Sequence, residues 1–360
     1  MRLLKCEITI GDYTFDFVTD IEIVSTWELL TDTAQITIPK KLRYRGKDGK
    51  AKKYLIRGTE AVFKKGDAVK ISIGYYPSAE FGEINPYYTA FEGYVTEVSP
   101  KRPIVIQCED KAYNLKLMRI EKWTPETKDE SVVPQDLKEV LEDLRDTSNH
   151  NTAGELFNFD IQADNILVSM WPIEKVTMAD VLDKIKRTFN LQCYFRDNTL
   201  YVGLARIAQR DDDFSNIFGI PNFTNEVSFG RDIISDSALT YQNDSDITIN
   251  LTCISFDETN EKIEATAGDS WGSVRTLYYY KETEDTLQKI ANDMVSEFKF
   301  NGYTGSFTMF GIPQVEHGDS VKIINPDILD TEGEYVVEKV TTRFGQGGFR
   351  QEIALGERIG

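Results

Sequence analysis

A three-strand pattern occurs twice in this chain of 360 residues, and it constrains the fold more than any other feature. Residues 66–71 (GDAVKI) match residues 318–323 (GDSVKI). Two further matches follow in the same order, residues 91–98 with 332–340 and residues 104–107 with 350–353. In each copy a Gly-Asp turn precedes apolar residues at alternate positions, which predicts short strands with one face in a core.

The repeat has two interpretations. G-D-x-V-x-I is a common strand opening in all-β proteins, so the matches can be two ordinary β openings. A true duplication instead predicts two related β-barrels in one chain, able to occupy adjacent, quasi-equivalent places in a ring. Three such chains would form a pseudo-sixfold ring with threefold symmetry, since head-to-tail contacts close when the rotation allows it.

The sequence predicts a mainly β (α+β) chain of three domains. Residues 1–120 form a first β-barrel domain, because short alternating strands are separated by Gly and Pro turns. Residues 121–212 form a small α/β domain with two helices and a hairpin, and residues 210–213 (RDDD) are a polar linker. Residues 213–360 form a second β domain with one helix and the second barrel.

Helix signals are clearest in the middle and near the end. Thr177 and Asp180 have the spacing of a capping box before an apolar stripe that reaches Phe189. Residues 137–144 show the same periodicity after Pro134. Thr283 is the expected N-cap of a third helix, whose apolar stripe covers residues 287–298.

Charge and hydropathy exclude several classes of protein. The net charge of −18 and the pI of about 4.7 oppose a sequence-reading nucleic-acid binder, which needs a basic face. The basic stretch 40–53 contains Gly46 and Gly49 and is interpreted as a solvated hairpin loop. Strong acidity fits solubility, and equally a surface past which nucleic acid slides.

The chain has no apolar run of membrane-spanning length and no signal-peptide pattern at Met1, so folding in a cytoplasm is expected.

Residues for metal, cofactor or catalytic chemistry are scarce. Four widely spaced cysteines, Cys6, Cys108, Cys193 and Cys253, are expected to be buried free thiols. His150 and His317 are expected in surface or turn positions, and residues 345–348 (GQGG) as a hairpin turn. Since no metalloprotease, nucleophile-elbow or P-loop motif occurs, the sequence predicts no catalytic, cofactor-binding or metal residues and no cofactor.

Three segments carry a resemblance to a known family. They are residues 23–39 (IVSTWELLTDTAQITIP), residues 91–116 with their F-x-G-x-V and C-x-D patterns, and residues 307–319 with G-x-P before His317-Gly318-Asp319. In these segments the chain resembles baseplate and tail hub proteins of contractile phage tails and related injection systems. That family includes phage late control protein D and the N-terminal hub of VgrG.

The resemblance implies a homotrimeric hub with two barrels per chain and no catalytic residues. Its implied partners are a tail tube protein, a spike protein and other baseplate proteins, with transient, non-specific passage of DNA or effector through a lumen. VgrG proteins continue into a β-helical spike, whereas this sequence stops at Gly360, so a separate spike protein is expected. The implied location is a virion tail or baseplate assembled in the host bacterial cytoplasm.

Two other functions stay open. A receptor- or carbohydrate-binding tail tip protein would use exposed tryptophans, although core burial is expected for most of Trp27, Trp123, Trp171 and Trp271. A tail-associated glycan hydrolase would need a pair of carboxylates, for which Glu109-Asp110 is the best candidate and the end of a strand the plainer interpretation.

Overall fold

The structure is a computed structural model, and it confirms the mainly β, α+β class. It describes residues 3–39, 42–46, 49, 51–53, 56–57, 60–77, 86–99, 103–128, 131–148, 159–163, 166–189, 191–196, 198–203, 224–256, 261–280, 282–328 and 331–359. His150, the predicted linker 210–213, and Lys40, Lys41, Lys47 and Lys50 of the basic stretch lie outside the described residues.

Strands dominate the first third of the chain and its last part. The first third contains β1 (Leu4–Ile10), β2 (Tyr13–Phe15), β3 (Asp20–Thr26), β4 (Thr33–Ile38), β5 (Arg43–Arg45), β6 (Ala51–Lys53), β7 (Ile56–Arg57), β8 (Glu60–Ala61), β9 (Ala68–Tyr75), β10 (Tyr87–Ser99) and β11 (Ile104–Glu109). The last part contains β21 (Thr224–Ser228), β22 (Ile233–Gln242), β23 (Ile249–Phe256), β24 (Lys262–Gly268), β25 (Ser273–Tyr280), α4 (Glu284–Phe298), β26 (Gly302–Phe310), β27 (Ser320–Ile324), β28 (Gly333–Gly345) and β29 (Gly348–Arg358).

The middle of the chain combines helices with short strands. Its elements are α1 (Ala112–Leu115), β12 (Arg119–Trp123), β13 (Thr127–Lys128), β14 (Ser131–Val132), β15 (Gln135–Asp136), α2 (Leu137–Ser148), β16 (Asp160–Ala163), β17 (Leu167–Val168), β18 (Ile173–Thr177), α3 (Met178–Phe189), β19 (Gln192–Arg196) and β20 (Thr199–Gly203). The capping box is confirmed, because the Asp180 amide donates to Thr177 Oγ1 and the Thr177 amide donates to the Asp180 carboxylate, at 3.2 and 2.9 Å. Both helices bury their apolar stripes in a core that lies within this unit.

The two β regions share one sheet of 15 strands. Its main path runs β22-β26-β29-β28-β3-β4-β11-β10-β9-β1-β2-β5-β6, and β27 and β21 branch from β28. The regions meet where β28 pairs antiparallel with β3, from Lys339 opposite Thr26 to Gly345 opposite Asp20. Among the described strands no pairing closes either region into a barrel, and strands of both regions lie in one continuous sheet.

The sequence repeat is also a repeat of structure. The Gly66 amide donates to the Val95 carbonyl and the Val95 amide to the Asp67 carbonyl, at 2.8 and 2.9 Å. Gly318 and Asp319 make the same two bonds with Val337, both at 2.8 Å. In both turns the glycine has a positive φ, of 90° and 84°, which L side chains rarely adopt. The strand order β9-β10-β11 is likewise matched by β27-β28-β29.

The hydrogen bonds fix how the second pair of repeated strands aligns. They make Val337 the equivalent of Val95, so residue 98 matches residue 340, as in the sequence comparison. A β-bulge follows at the same place in both copies, between Val95 and Glu97 and between Val337 and Lys339. The third match is displaced by one residue, because Gln107 pairs with Glu97 and Ala354 pairs with Lys339, which makes residues 104–107 equivalent to residues 351–354.

A separate apolar core lies within the last part of the chain, around helix α4. Helix α4 packs on β23, β24 and β25, burying Leu287, Ala291, Met294 and Phe298. The predicted N-cap is confirmed, because the Thr286 amide donates to Thr283 Oγ1 at 3.3 Å. The sequence analysis predicted this helix without a core of its own. The domain boundaries after residues 120 and 212 stay a prediction.

Candidate functional site

A buried polar junction lies where the first β region, the middle unit and the second β region meet. It surrounds a cavity of about 260 Å³. The polar groups that line this cavity include Ser25, Asp32, Asp110, Arg196, Glu316 and His317. All of them lie at strand ends or turns, where the backbone leaves the sheet and side chains converge.

Arg196 ties the middle unit to the second β region. Its Nε and Nη2 donate to Glu316 Oε2 at 3.0 and 2.7 Å, and Nη2 also reaches Asp319 Oδ1 at 3.2 Å. Burial by itself lowers the pKa of Arg196, but Glu316 and Asp319 raise it above its ordinary value. Asp319 belongs to the second Gly-Asp turn of the repeat. Arg196 therefore links the middle unit to that turn.

A hydrogen-bond chain joins the first β region to the second. Ser25 Oγ donates to Asp32 Oδ2 at 2.5 Å, and the Thr26 amide donates to Asp32 Oδ1 at 3.0 Å. His317 Nδ1 lies 2.6 Å from Ser25 Oγ. Since the serine proton is directed at the carboxylate, the serine oxygen accepts from Nδ1–H of a neutral His317.

Burial determines the charge states of Asp32 and His317. It raises the pKa of Asp32 from 3.8 to about 6, against the hydrogen bonds from Ser25 and Thr26. Burial, helped by the Arg196 charge, lowers the pKa of His317 to about 3. The imidazole therefore stays neutral at physiological pH. Its Nε2 is buried without a hydrogen-bond partner among the described residues.

The arrangement differs from a catalytic triad. In a triad the histidine stands between the nucleophile and the acid and takes the nucleophile's proton. Here Ser25 stands in the middle, its proton points at Asp32, and His317 is 4% exposed. The geometry supports a structural link between the two β regions. His317 lies beside the predicted turn but is buried, not at the surface.

Glu109 and Asp110 make different structural contacts. Strand β11 ends at Glu109, as predicted. Glu109 forms an ion pair with Lys116. Asp110 Oδ1 accepts from the Ala112 amide at 3.0 Å, and burial raises its pKa well above 3.8. The two carboxylates therefore do not face a common substrate position.

The four tryptophans differ in exposure. Trp123 is buried and its Nε1 donates to Asp143 Oδ2 at 2.7 Å, as expected of a core residue. Trp27 and Trp171 are half-buried. Trp271 is 75% exposed in the turn before β25. It is the tryptophan best placed to contact a ligand.

Three of the four cysteines are buried as the sequence predicts. Cys108, Cys193 and Cys253 are buried free thiols, whereas Cys6 is half-buried. Burial raises the pKa of all four thiols. Among the described residues no cluster of three potential ligands is arranged to hold a metal ion. None of the described helices has the length and apolar character needed to span a bilayer.

The fold is shared with proteins of phage tails and injection systems. The chain aligns with the 43 kDa tail protein of prophage MuSo2 from Shewanella oneidensis over 98% of its own length and 96% of that chain, with a TM-score of 0.56 and 14% identity. A tail protein from Neisseria meningitidis MC58 aligns over 99% and 97%, with a TM-score of 0.59 and 12% identity.

A complex that contains VgrG provides a further similar structure. In the Francisella PdpA-VgrG complex the match covers 99% of this chain and 53% of the other, with a TM-score of 0.52 and 11% identity. No family model and no curated protein matches the sequence. The predicted resemblance to tail hubs is therefore confirmed as a resemblance of fold.

Proposed function

We propose that this chain is a structural, non-enzymatic hub of a phage tail or a related injection system. Three copies close into a ring between a sixfold tail tube and a threefold spike. The observation that carries the proposal is the pairing of β28 with β3, which joins two regions of equivalent strand order edge to edge in one chain. A chain built in this way supplies two similar positions around an axis, so three copies supply six.

The partners follow from this position. A tube protein binds on one side of the ring, a separate spike protein on the other, and other baseplate proteins around it. DNA or effector passes through the lumen. The net charge of −18 favours such passage, because a negative surface repels a polyanion.

The ring is tested by native mass spectrometry and electron microscopy of the full chain, alone and co-expressed with a tail tube protein and a spike protein. The expected result is a trimer whose class averages show six similar lobes around a pore. Monomers alone, in the presence of those partners, would refute the ring.

A carbohydrate-binding tip protein is the second candidate, and the exposure of Trp271 favours it. Exposed indole rings stack on sugar faces, so Trp271→Ala should abolish binding on a glycan array. Trp27→Phe, at a half-buried position, is the matched control. Absence of glycan binding by the unaltered chain would reject this function.

A further inference from the structure

Strands β3 and β22 occupy equivalent places in the two β regions. β3 pairs antiparallel with β4, which pairs with β11 and through it with β10. β22 pairs antiparallel with β26, which pairs with β29 and through it with β28. The registers of these pairs make Val24 equivalent to Thr240. Continued along both strands, they make Ser25 equivalent to Tyr241 and Thr26 equivalent to Gln242.

The two strands differ in whether another strand pairs with their outer edge. The outer edge of β3 is paired with β28, and Ile21 and Ile23 are 0% and 4% exposed. β22 pairs with β26 alone among the described strands, and most of its ten residues are exposed. Ile234 and Tyr241 are 43% and 36% exposed. A long uncovered edge strand with apolar side chains is a site for pairing with another chain.

The chain also carries the complementary edge. Strand β28 pairs with β3 through its C-terminal part, which starts at Lys339. The equivalent part of β10 is its C-terminal end, with Lys339 equivalent to Glu97 and Val340 equivalent to Val98. Glu97 and Val98 pair with β11 on one side. On their other side no described strand pairs with them, since β9 pairs with β10 only up to Tyr94.

We propose that the open edge of β22 in one copy pairs antiparallel with the end of β10 in a neighbouring copy. The register is that of β3 on β28, so Tyr241 lies opposite Val98 and Gln242 opposite Glu97. An aromatic residue then faces a β-branched one, and no like charges meet. The partner is a second copy of this chain, and the inference rests on the proposed ring.

This contact repeats, between copies, the junction that each chain makes within itself. It is head-to-tail, because β22 and β10 are different surfaces. Each copy therefore keeps one β22 edge and one β10 edge available until the ring closes. The sheet then continues from one copy to the next around the lumen.

The test is cysteine cross-linking between two single variants of the full chain, Val98→Cys and Tyr241→Cys. Mixed under mild oxidation at a concentration where trimers form, they should give disulfide-linked dimers that neither variant gives alone. Glu22→Cys with Arg343→Cys in one chain is the positive control, since these exposed residues face each other across β3 and β28. Trp271→Cys mixed with Val98→Cys is the negative control.

The background from native thiols is low, because three are buried, Cys6 is half-buried and burial raises the pKa of all four. Trimers without the Val98–Tyr241 cross-link would overturn the pairing and leave the ring intact. A chain that stays monomeric with its tube and spike partners would refute the ring and the pairing together. Cross-linked dimers in the mixture alone would support both.

Discussion

Asp32 makes the junction between the two β regions sensitive to pH. Burial raises the pKa of its carboxyl from 3.8 to about 6. The folded chain therefore holds this proton more tightly than the unfolded chain. The stability that the proton contributes is complete below pH 3.8 and is lost as the pH rises through 6. The difference between these pKa values corresponds to about 3 kcal/mol, of which about half is lost between pH 5 and pH 8.

The variant Asp32→Asn removes this titration and keeps the hydrogen bonds. The amide oxygen can still accept from the Thr26 amide. The amide nitrogen can donate to Ser25 Oγ, whose hydroxyl then donates to His317 Nδ1. The free energy of unfolding of the variant, minus that of the unaltered chain, should grow by about 1.5 kcal/mol from pH 5 to pH 8.

Urea unfolding followed by tryptophan fluorescence at pH 5, 6, 7 and 8 measures this difference. The range stays above the pI of about 4.7, where solubility is lowest. Subtraction cancels the groups that titrate identically in both proteins. Asp16→Asn, at an exposed position, controls for the loss of one negative charge. A difference that is constant or shrinks with rising pH would refute the assignment of a buried, proton-holding carboxyl.

Four further substitutions test the packing and the turns. Arg196→Met should lower the free energy of unfolding in urea by about 2 kcal/mol, because it strands two carboxylates of a partly buried ion pair; no loss would mean that the middle unit is held by its apolar contacts. Tyr335→Phe should lower the free energy of unfolding by about 1–3 kcal/mol, because the buried Tyr303 amide loses the hydroxyl that accepts its hydrogen bond at 2.8 Å. An unchanged urea midpoint would contradict this prediction. Gly66→Ala and Gly318→Ala should each cost about 1–2 kcal/mol, since both glycines have positive φ, and clearly unequal costs would argue against equivalent turns.

Local features were predictable because they depend on neighbouring residues. The Thr177 and Asp180 capping box, the Thr283 cap and the two Gly-Asp turns all involve residues a few positions apart, and each is found as expected. The order of the three repeated strands was predictable for the same reason. The one-residue displacement of the third strand was not, because its register is set by pairing with the neighbouring strand and not by its own sequence.

The junction was not predictable from the sequence. Ser25 and His317 are 292 positions apart, and Arg196 is 120 positions from Glu316. No local spacing relates residues so distant. The available signals were weak: a histidine beside a Gly-Asp turn and an acid after β3. The sequence suggested a surface or turn position for His317, and only the packing of three units against one another buries it.

The sequence by itself determined that two sets of three strands follow the same order, since turn glycines and alternating apolar residues act over a few positions. Tertiary structure alone decided that these sets belong to one sheet, because the pairing of β3 with β28 depends on backbone groups more than 300 positions apart, such as those of Glu22 and Arg343. Backbone hydrogen bonds are the same for every residue, so strand neighbours leave little trace in the sequence. For the same reason, the structure and not the sequence reveals that β22 has an open edge.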